Sequence, residues 1–438
     1  MDRMALIADL LERARMARAS GAEVLITDTE SFHAVSHRGR VQRAVDSESH
    51  RITVRVWDAA GRAAWLEGEL PQAKALLEQA LERVSDGEAD PHGGPVGRSA
   101  TQGSTSGIDD RRYENIGKED RLEVLTTAER AASQVDRSFE TSGFSYRDAR
   151  TRRWFGNSRN VRLKEAGTVF RVEGSVRSPS LDLALTDVVQ DRAFATVASI
   201  PFGAALARRL EELDGPTTTV SGPVRMMLPP RVVAEIVALL GPHFRHASLE
   251  KGTSFLSRGR SGGDLQFSPL LHMVDDGRLP GALNSTGFDD RGVAPVPLTL
   301  IRDGQVEGWY LDVAEARSFD VRATGHRRGG RLMPGNLVVR GGSRSMNALL
   351  AEQTEPVVML DHARGLIDGL DVKTGALRFG ASGRLVVPRN ETRGMIPRMV
   401  ITGNLIEVLG QVVGLASDTD RIEHVDAPGI LVDGLSVE

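Results

Sequence analysis

Ten histidines and no cysteine limit the chemistry open to this 438-residue chain. His243 and His246 stand three residues apart, and Glu250 follows four further on. On a helix, that spacing could bring both imidazoles to one face with a carboxylate beneath them, the beginnings of a metal site. The competing reading is two polar residues in a loop, because Gly241-Pro242 interrupts the helix that the spacing requires. No histidine is followed by glutamate anywhere in the chain, so a metal-bound water would lack the neighbouring carboxylate that takes its proton.

Other groups of chemical interest are weaker. His33 and His37 form an i, i+4 pair with no carboxylate at ligand spacing. They read as surface or interface residues. Asp275-Asp276 and Asp289-Asp290 could be paired carboxylates or ligands for a hard cation. Each lies at a glycine turn, where aspartate caps its own backbone, and turn structure is the favoured reading. Between Arg322 and Arg331 several arginines cluster around His326. Arg327 and Arg328 are the candidate ligands for a peptide carboxylate, which a guanidinium grips in bidentate fashion. Gly262-Gly263, Gly329-Gly330 and Gly341-Gly342 lack the spacing of phosphate-binding loops, and no serine sits in a G-x-S-x-G elbow.

The elements that must position these residues follow from patterning. A hydrophobic content of 40% and a charged content of 26% are ordinary for a globular protein. A net charge of -4 and 5% aromatics argue against a nucleic-acid partner. No apolar run is long enough to span a membrane. The absence of cysteine fits a cytoplasmic setting. Leu6, Ile7, Leu10, Leu11 and Ala14 share one face of an opening helix, and Arg51–Trp57 alternates like a half-buried strand. Residues 1–86 are expected to form an N-terminal α+β domain. Residues 87–110, rich in Gly, Ser, Pro and Thr, read as a flexible linker. Residues 111–216 should form a second α+β domain, with strands over 137–144, 151–161, 167–176 and 181–188 and a helix over 191–213. Residues 217–438 should be mostly β, with helices over 230–241 and 345–353 and an ambiguous segment at 404–413. The fold class is therefore α+β.

Punctuation in the C-terminal half is more specific. Leu249–Leu256 (LEKGTSFL), Asn284–Val293 (NSTGFDDRGV), Thr324–Arg328 (TGHRR), Pro334–Leu337 (PGNL) and Thr402–Leu405 (TGNL) recur in a fixed order, preceded by Ser20–Val24 and Gly61-Arg62 in the N-terminal half. This pattern resembles the TldD/PmbA family of bacterial metallopeptidases across nearly the whole chain. Arg291 stands where many members have glutamate, and His326 replaces a commoner asparagine.

The resemblance implies a division of labour. In the family's TldD-type subunit, an H-E-x-x-x-H helix and a later cysteine hold zinc. The corresponding stretch here, about Gly241–Gly252, has neither the motif nor the cysteine. The chain is thus expected to resemble the TldE (PmbA) type, a non-catalytic subunit with no cofactor of its own. Its partner would be a TldD-like peptidase carrying the zinc, and its substrate a peptide or amide, including modified peptides or amide-linked natural products. The alternative is a stand-alone homodimeric peptide-binding protein.

Overall fold

The opening helix α1 (Arg3–Met16) forms where the apolar stripe predicts it. Ile7, Leu10, Leu11 and Ala14 are buried, and the Asp2 carboxylate caps the helix by accepting from the Met4 N–H at 2.9 Å. The computed structural model describes residues 2–98, 105–257 and 267–438; Gly262-Gly263 lies outside them. After α1 come β1 (Gly21–His37), β2 (Arg40–Trp57), β3 (Ala63–Glu69), α2 (Ala73–Arg83), α3 (Lys118–Val135), β4 (Glu140–Asn157), β5 (Arg162–Ser178), β6 (Leu183–Asp191), α4 (Phe194–Ser199) and α5 (Phe202–Glu211).

The two N-terminal units expected from the sequence share one sheet, ordered β3-β2-β1-β4-β5-β6. β1 and β4 pair antiparallel from Glu23↔Asn157 to Ser36↔Phe144, which joins the units along almost their full length. The period of two then sorts side chains to two faces. Even-numbered residues of β1 (Val24, Ile26, Phe32 and Ala34) are buried under α1, α2, α3 and α5. Odd-numbered Glu23 and Leu25 look the other way, toward the C-terminal half. Expected strands 137–144 and 151–161 fuse into β4, which absorbs an irregularity between Ser142 and Ser145 in its pairing with β5. The helix expected over 191–213 is broken into α4 and α5 at Ile200-Pro201, because proline cannot donate to the preceding turn.

The C-terminal half carries β7 (Gly222–Leu228), α6 (Pro230–Leu240), α7 (His246–Glu250), β8 (Met273–Asp275), β9 (Leu298–Arg302), β10 (Gln305–Val306), α8 (Val313–Ser318), β11 (Arg327–Arg328), β12 (Arg331–Leu332) and β13 (Leu337–Val339). It continues with α9 (Met346–Ala351), β14 (Val357–Arg364), β15 (Ala376–Val387), β16 (Glu391–Asn404), α10 (Leu405–Gly410), β17 (Val412–Ile422) and β18 (Val425–Val437). The ambiguous 404–413 segment is a short helix running into a strand. Strands β18, β16, β15, β14 and β7 close on themselves, because β7 pairs with both β14 and β18. Closure removes the exposed edges that an open sheet would leave. The α6 residues Val232, Val233, Ile236, Val237 and Leu240 are buried in the core shared with this ring. The α+β class read from the sequence is the fold observed.

The stretch read as a flexible linker is instead pinned along both described parts. Arg317 of α8 donates to the carbonyls of His92, Gly94 and Pro95, and the Asn157 amide donates to Val96. Val96 and Ile108 are buried, and Thr168 of β5 donates its N–H to Ile108. Glycine and proline content signalled a lack of periodicity; it carried no information about distant arginines that would order the backbone.

Between the sheet and the C-terminal half runs a largely ionic seam. Arg291 donates through Nε to Glu23 at 2.8 Å and through Nη2 to the Gly94 carbonyl at 3.0 Å, with its guanidinium 5.1 Å from the Trp57 ring centre. Arg153 reaches Asp290 at 2.9 Å, and Arg171 reaches Glu423 at 3.1 Å. The 289–293 turn fits because Gly292 has φ +74° and lies on Phe155, where a β-carbon would come within 2.4 Å of the ring. Glu23 and Arg291 are almost fully buried, so losing one partner strands the other in a poor solvent for charge. Glu23→Gln leaves both Arg291 and Arg55 without this carboxylate. It should lower unfolding free energy by about 3–5 kcal/mol in urea titrations; a loss under ~1 kcal/mol would show that the pair does not hold the seam.

Candidate functional site

A cleft of about 620 Å³ opens where β6, the outer strand of the N-terminal sheet, meets α6 and the turn joining β17 to β18. Asp187 and Val188 of β6 form one wall, and Arg231, Glu235 and Ala238 of α6 another. His362 of β14 and His424 of the turn lie deeper in it. Among the described strands β6 pairs with β5 alone, and at the cleft the Val188 N–H donates to the Asp187 carboxylate at 2.6 Å.

The charges in this cleft are unevenly satisfied. Asp187 takes up both nearby arginines, accepting from Arg209 at 2.6 Å and from Arg231. Glu235 forms no ion pair among the described residues. Burial pushes its carboxyl up to about 7; Arg231 and Arg209 oppose the rise, and Asp187 and Glu423 add to it. Burial also pushes the His362 imidazole down to about 4, with Arg209 and Arg364 adding to it, and lowers that of His424. The His362 Nδ1 is buried without a hydrogen-bond partner among the described residues. Burial thus favours a protonated Glu235 carboxyl and neutral imidazoles at His362 and His424 in this cleft. A protonated carboxyl can donate to an amide carbonyl, and a neutral imidazole can accept from an amide N–H.

The residues singled out from the sequence are dispersed. His243 sits in a 3₁₀ turn, its Nδ1 3.1 Å from the Ser254 hydroxyl and its ring 4.3 Å from that of Phe255; burial, then Arg245, lowers it to about 4. His246 opens α7 and lies 3.9 Å from Glu315 and 4.0 Å from Glu250. The two imidazoles thus serve different neighbours, and no three potential metal ligands converge among the described residues. These residues do not fit a zinc centre. His33 and His37 lie on β1, with Arg147 paired opposite His33. Asp276 and Asp289 do cap turns, accepting from Arg278 N–H at 2.9 Å and from Arg291 N–H at 2.8 Å.

Asp275 departs from the turn reading. It is fully buried at the end of β8, accepting from the Tyr310 hydroxyl and the Gly335 N–H, each at 2.6 Å. His326 approaches its other oxygen at 3.3 Å, off-line for a hydrogen bond. Burial alone would raise this carboxyl, but His326, Tyr310 and Gly335 together hold it below its ordinary value. Arg327 and Arg328 diverge, as neighbours on a strand must. Arg327 pairs with Asp312 at 2.8 Å, whereas Arg328 donates to the Asn284 carbonyl.

Sequence reasoning missed Glu235 and His362. Glu235 carried a signal, a single acid within the apolar run VVAEIVALL of α6. His362 carried none, because a strand's burial depends on its partners.

The raised Glu235 carboxyl predicts a pH-dependent cost. An unfolded chain ionises this group near 4.5 and the folded chain near 7. The contribution to folding is therefore intact below about pH 4.5 and is lost as pH rises to 7. Glu235→Gln, neutral at every pH, should gain about 3 kcal/mol on wild type between pH 4 and pH 8, measured by chemical denaturation. An equal difference at both pH values would mean Glu235 is not desolvated.

Comparison with known proteins fits this architecture. Residues 221–438 match the PmbA/TldA metallopeptidase C-terminal domain. The chain is 22% identical to the metalloprotease PmbA of Escherichia coli O157:H7 over 432 residues, covering 96% of this chain and 92% of that protein. It superposes on a solved Thermotoga maritima chain with a TM-score of 0.87 at 19% identity, covering 100% of both chains. With TldE from Thermococcus kodakarensis the TM-score is 0.82 at 17% identity, covering 99% of each. The residue pattern, the matched domain and the full-length likeness agree: the chain belongs to the TldD/PmbA metallopeptidase family.

Proposed function

We propose that this chain is the non-catalytic subunit of a heterodimeric zinc peptidase, pairing with a TldD-like partner that supplies the metal and its general base. The observation that carries this reading is the α6–α7 segment. Where the family's catalytic branch is expected to place its zinc-binding helix, this chain has Gly241-Pro242, no His-Glu pair, and two imidazoles turned to different neighbours. The chain contributes a binding surface. The unpaired edge of β6 takes a peptide in extended form, and the Glu235 carboxyl in its protonated form and the His362 imidazole meet its amides. A cytoplasmic setting accords with the lack of cysteine. No helix among the described residues is long and apolar enough to cross a membrane.

The test is co-expression with a TldD-like protein encoded nearby, followed by size-exclusion chromatography, zinc analysis and a peptide hydrolysis assay. The expected result is a 1:1 complex with about one zinc, hydrolysing peptides only when both chains are present. Changing the partner's metal-binding histidines should abolish zinc and activity together. Zinc and hydrolysis by this chain alone would overturn the proposal, and so would a stable homodimer that binds peptide and ignores the partner.

A further inference from the structure

A second, smaller cleft lies on the seam, about 190 Å³ in volume, between β5 and the 283–286 loop. Three arginines line it: Arg153, which is paired with Glu165 and Asp290, and Arg192 and Arg328. Arg192, just beyond β6, donates to the carbonyls of Thr168 at 2.9 Å, Ser285 at 3.2 Å and Leu283. Arg328 enters from β11 and donates to the carbonyl of Asn284, its one hydrogen bond among the described residues. Both guanidiniums thus grip successive carbonyls of the same loop, and neither forms an ion pair among the described residues.

The carboxylate on the cleft wall does not answer them. Glu165 is engaged by Arg153 at 2.9 Å, by the Thr286 hydroxyl at 2.6 Å and by the Gly287 N–H at 2.8 Å. Asp275 gives one oxygen to Tyr310 and Gly335 and forms no ion pair with Arg328 among the described residues. Burial, then the neighbouring Arg328, pushes the Arg192 guanidinium down to about 10, and burial lowers Arg328 as well. Asp275, Asp289 and Asp290 favour the charge of Arg328, but none forms an ion pair with it among the described residues, so most of its donors stay uncommitted at the cleft, where an anion can take them up. Gly167 keeps the space clear, since a β-carbon there would lie 3.1 Å from Arg192 Nη1.

We propose that this cleft is a carboxylate-binding site in which Arg328, backed by Arg192, takes a carboxylate of a peptide ligand. The planar fork of a guanidinium matches a carboxylate in two parallel hydrogen bonds. The inference deepens the peptide-binding reading above and rests on it for the ligand's source. It does not require the heterodimer, so the two proposals fail separately.

The experiment is calorimetric titration of the full chain, alone and with its partner, against three probes: triglycine with a free C-terminus, triglycine amide, and an N-acetylated, C-amidated peptide bearing one aspartate. At least one carboxylate-bearing probe should bind about tenfold or more tighter than triglycine amide. Preference for free triglycine assigns the chain terminus; preference for the aspartyl peptide assigns a side chain. Arg328→Gln should erase the preference, bringing the carboxylate-bearing probes to the affinity of the amide, and Arg328→Lys should restore only part of it. The wild-type comparison stands without any variant, should one fail to fold. Equal binding of all three probes, a preference that survives Arg328→Gln, or competition by inorganic phosphate without any carboxylate preference would overturn the proposal.

Discussion

The buried Glu23–Arg291 pair is the contact on which the two halves of this molecule depend. A carboxylate on the second face of a sheet is costly unless an opposite charge meets it. Here that charge arrives on a turn more than two hundred residues later in the chain, shaped by Asp289 and by Gly292 lying on Phe155. Arg291 also holds Gly94, so the same side chain fixes the 87–98 segment against the sheet. Apolar contacts across the junction join Leu25 and Phe155 with Phe288, and Val96 with Val293 and Val313; beside them stand ion pairs and arginine-to-carbonyl hydrogen bonds. Arg291 is the arginine that the buried Glu23 requires.

An ionic seam has a consequence for function. Side chains that must reach a partner at a set distance cannot fill the spaces around them, so clefts remain along the junction. In one, Asp187 absorbs two arginines and leaves Glu235 alone beside neutral imidazoles. In the other, Glu165 is saturated and leaves Arg328 with donors to spare. One cleft suits an uncharged amide and the other an anion. Together they describe a surface that could grip a peptide at two chemically different points.

Local patterning made the helices and many strands legible. The stripe of α1, the alternation around Ile52, Val54 and Val56, and the apolar face of α6 all appear where periodicity puts them. Long-range pairing was not legible. Nothing in β1 or β4 announces that they are partners, which is why one six-stranded sheet looked like two domains. The pinned 87–98 segment escaped for the same reason, since its order comes from Arg291 and Arg317. At the candidate site, spacing drew attention to His243 and His246, whose neighbourhoods a helix break had already separated. Glu235, which lines the cleft, stood eight residues before His243 in α6, visible as an isolated acid but given meaning only by what packs around it.

The central claim is that the cleft between β6 and α6 receives an extended peptide. Hydrogen exchange on the full chain, with and without a short peptide such as hexa-alanine, tests it directly. The account predicts slowed exchange in Leu183–Asp191 and along α6, with the distant hairpin tip at Arg38-Gly39 unchanged. Saturable peptide binding that leaves Leu183–Asp191 untouched would contradict it.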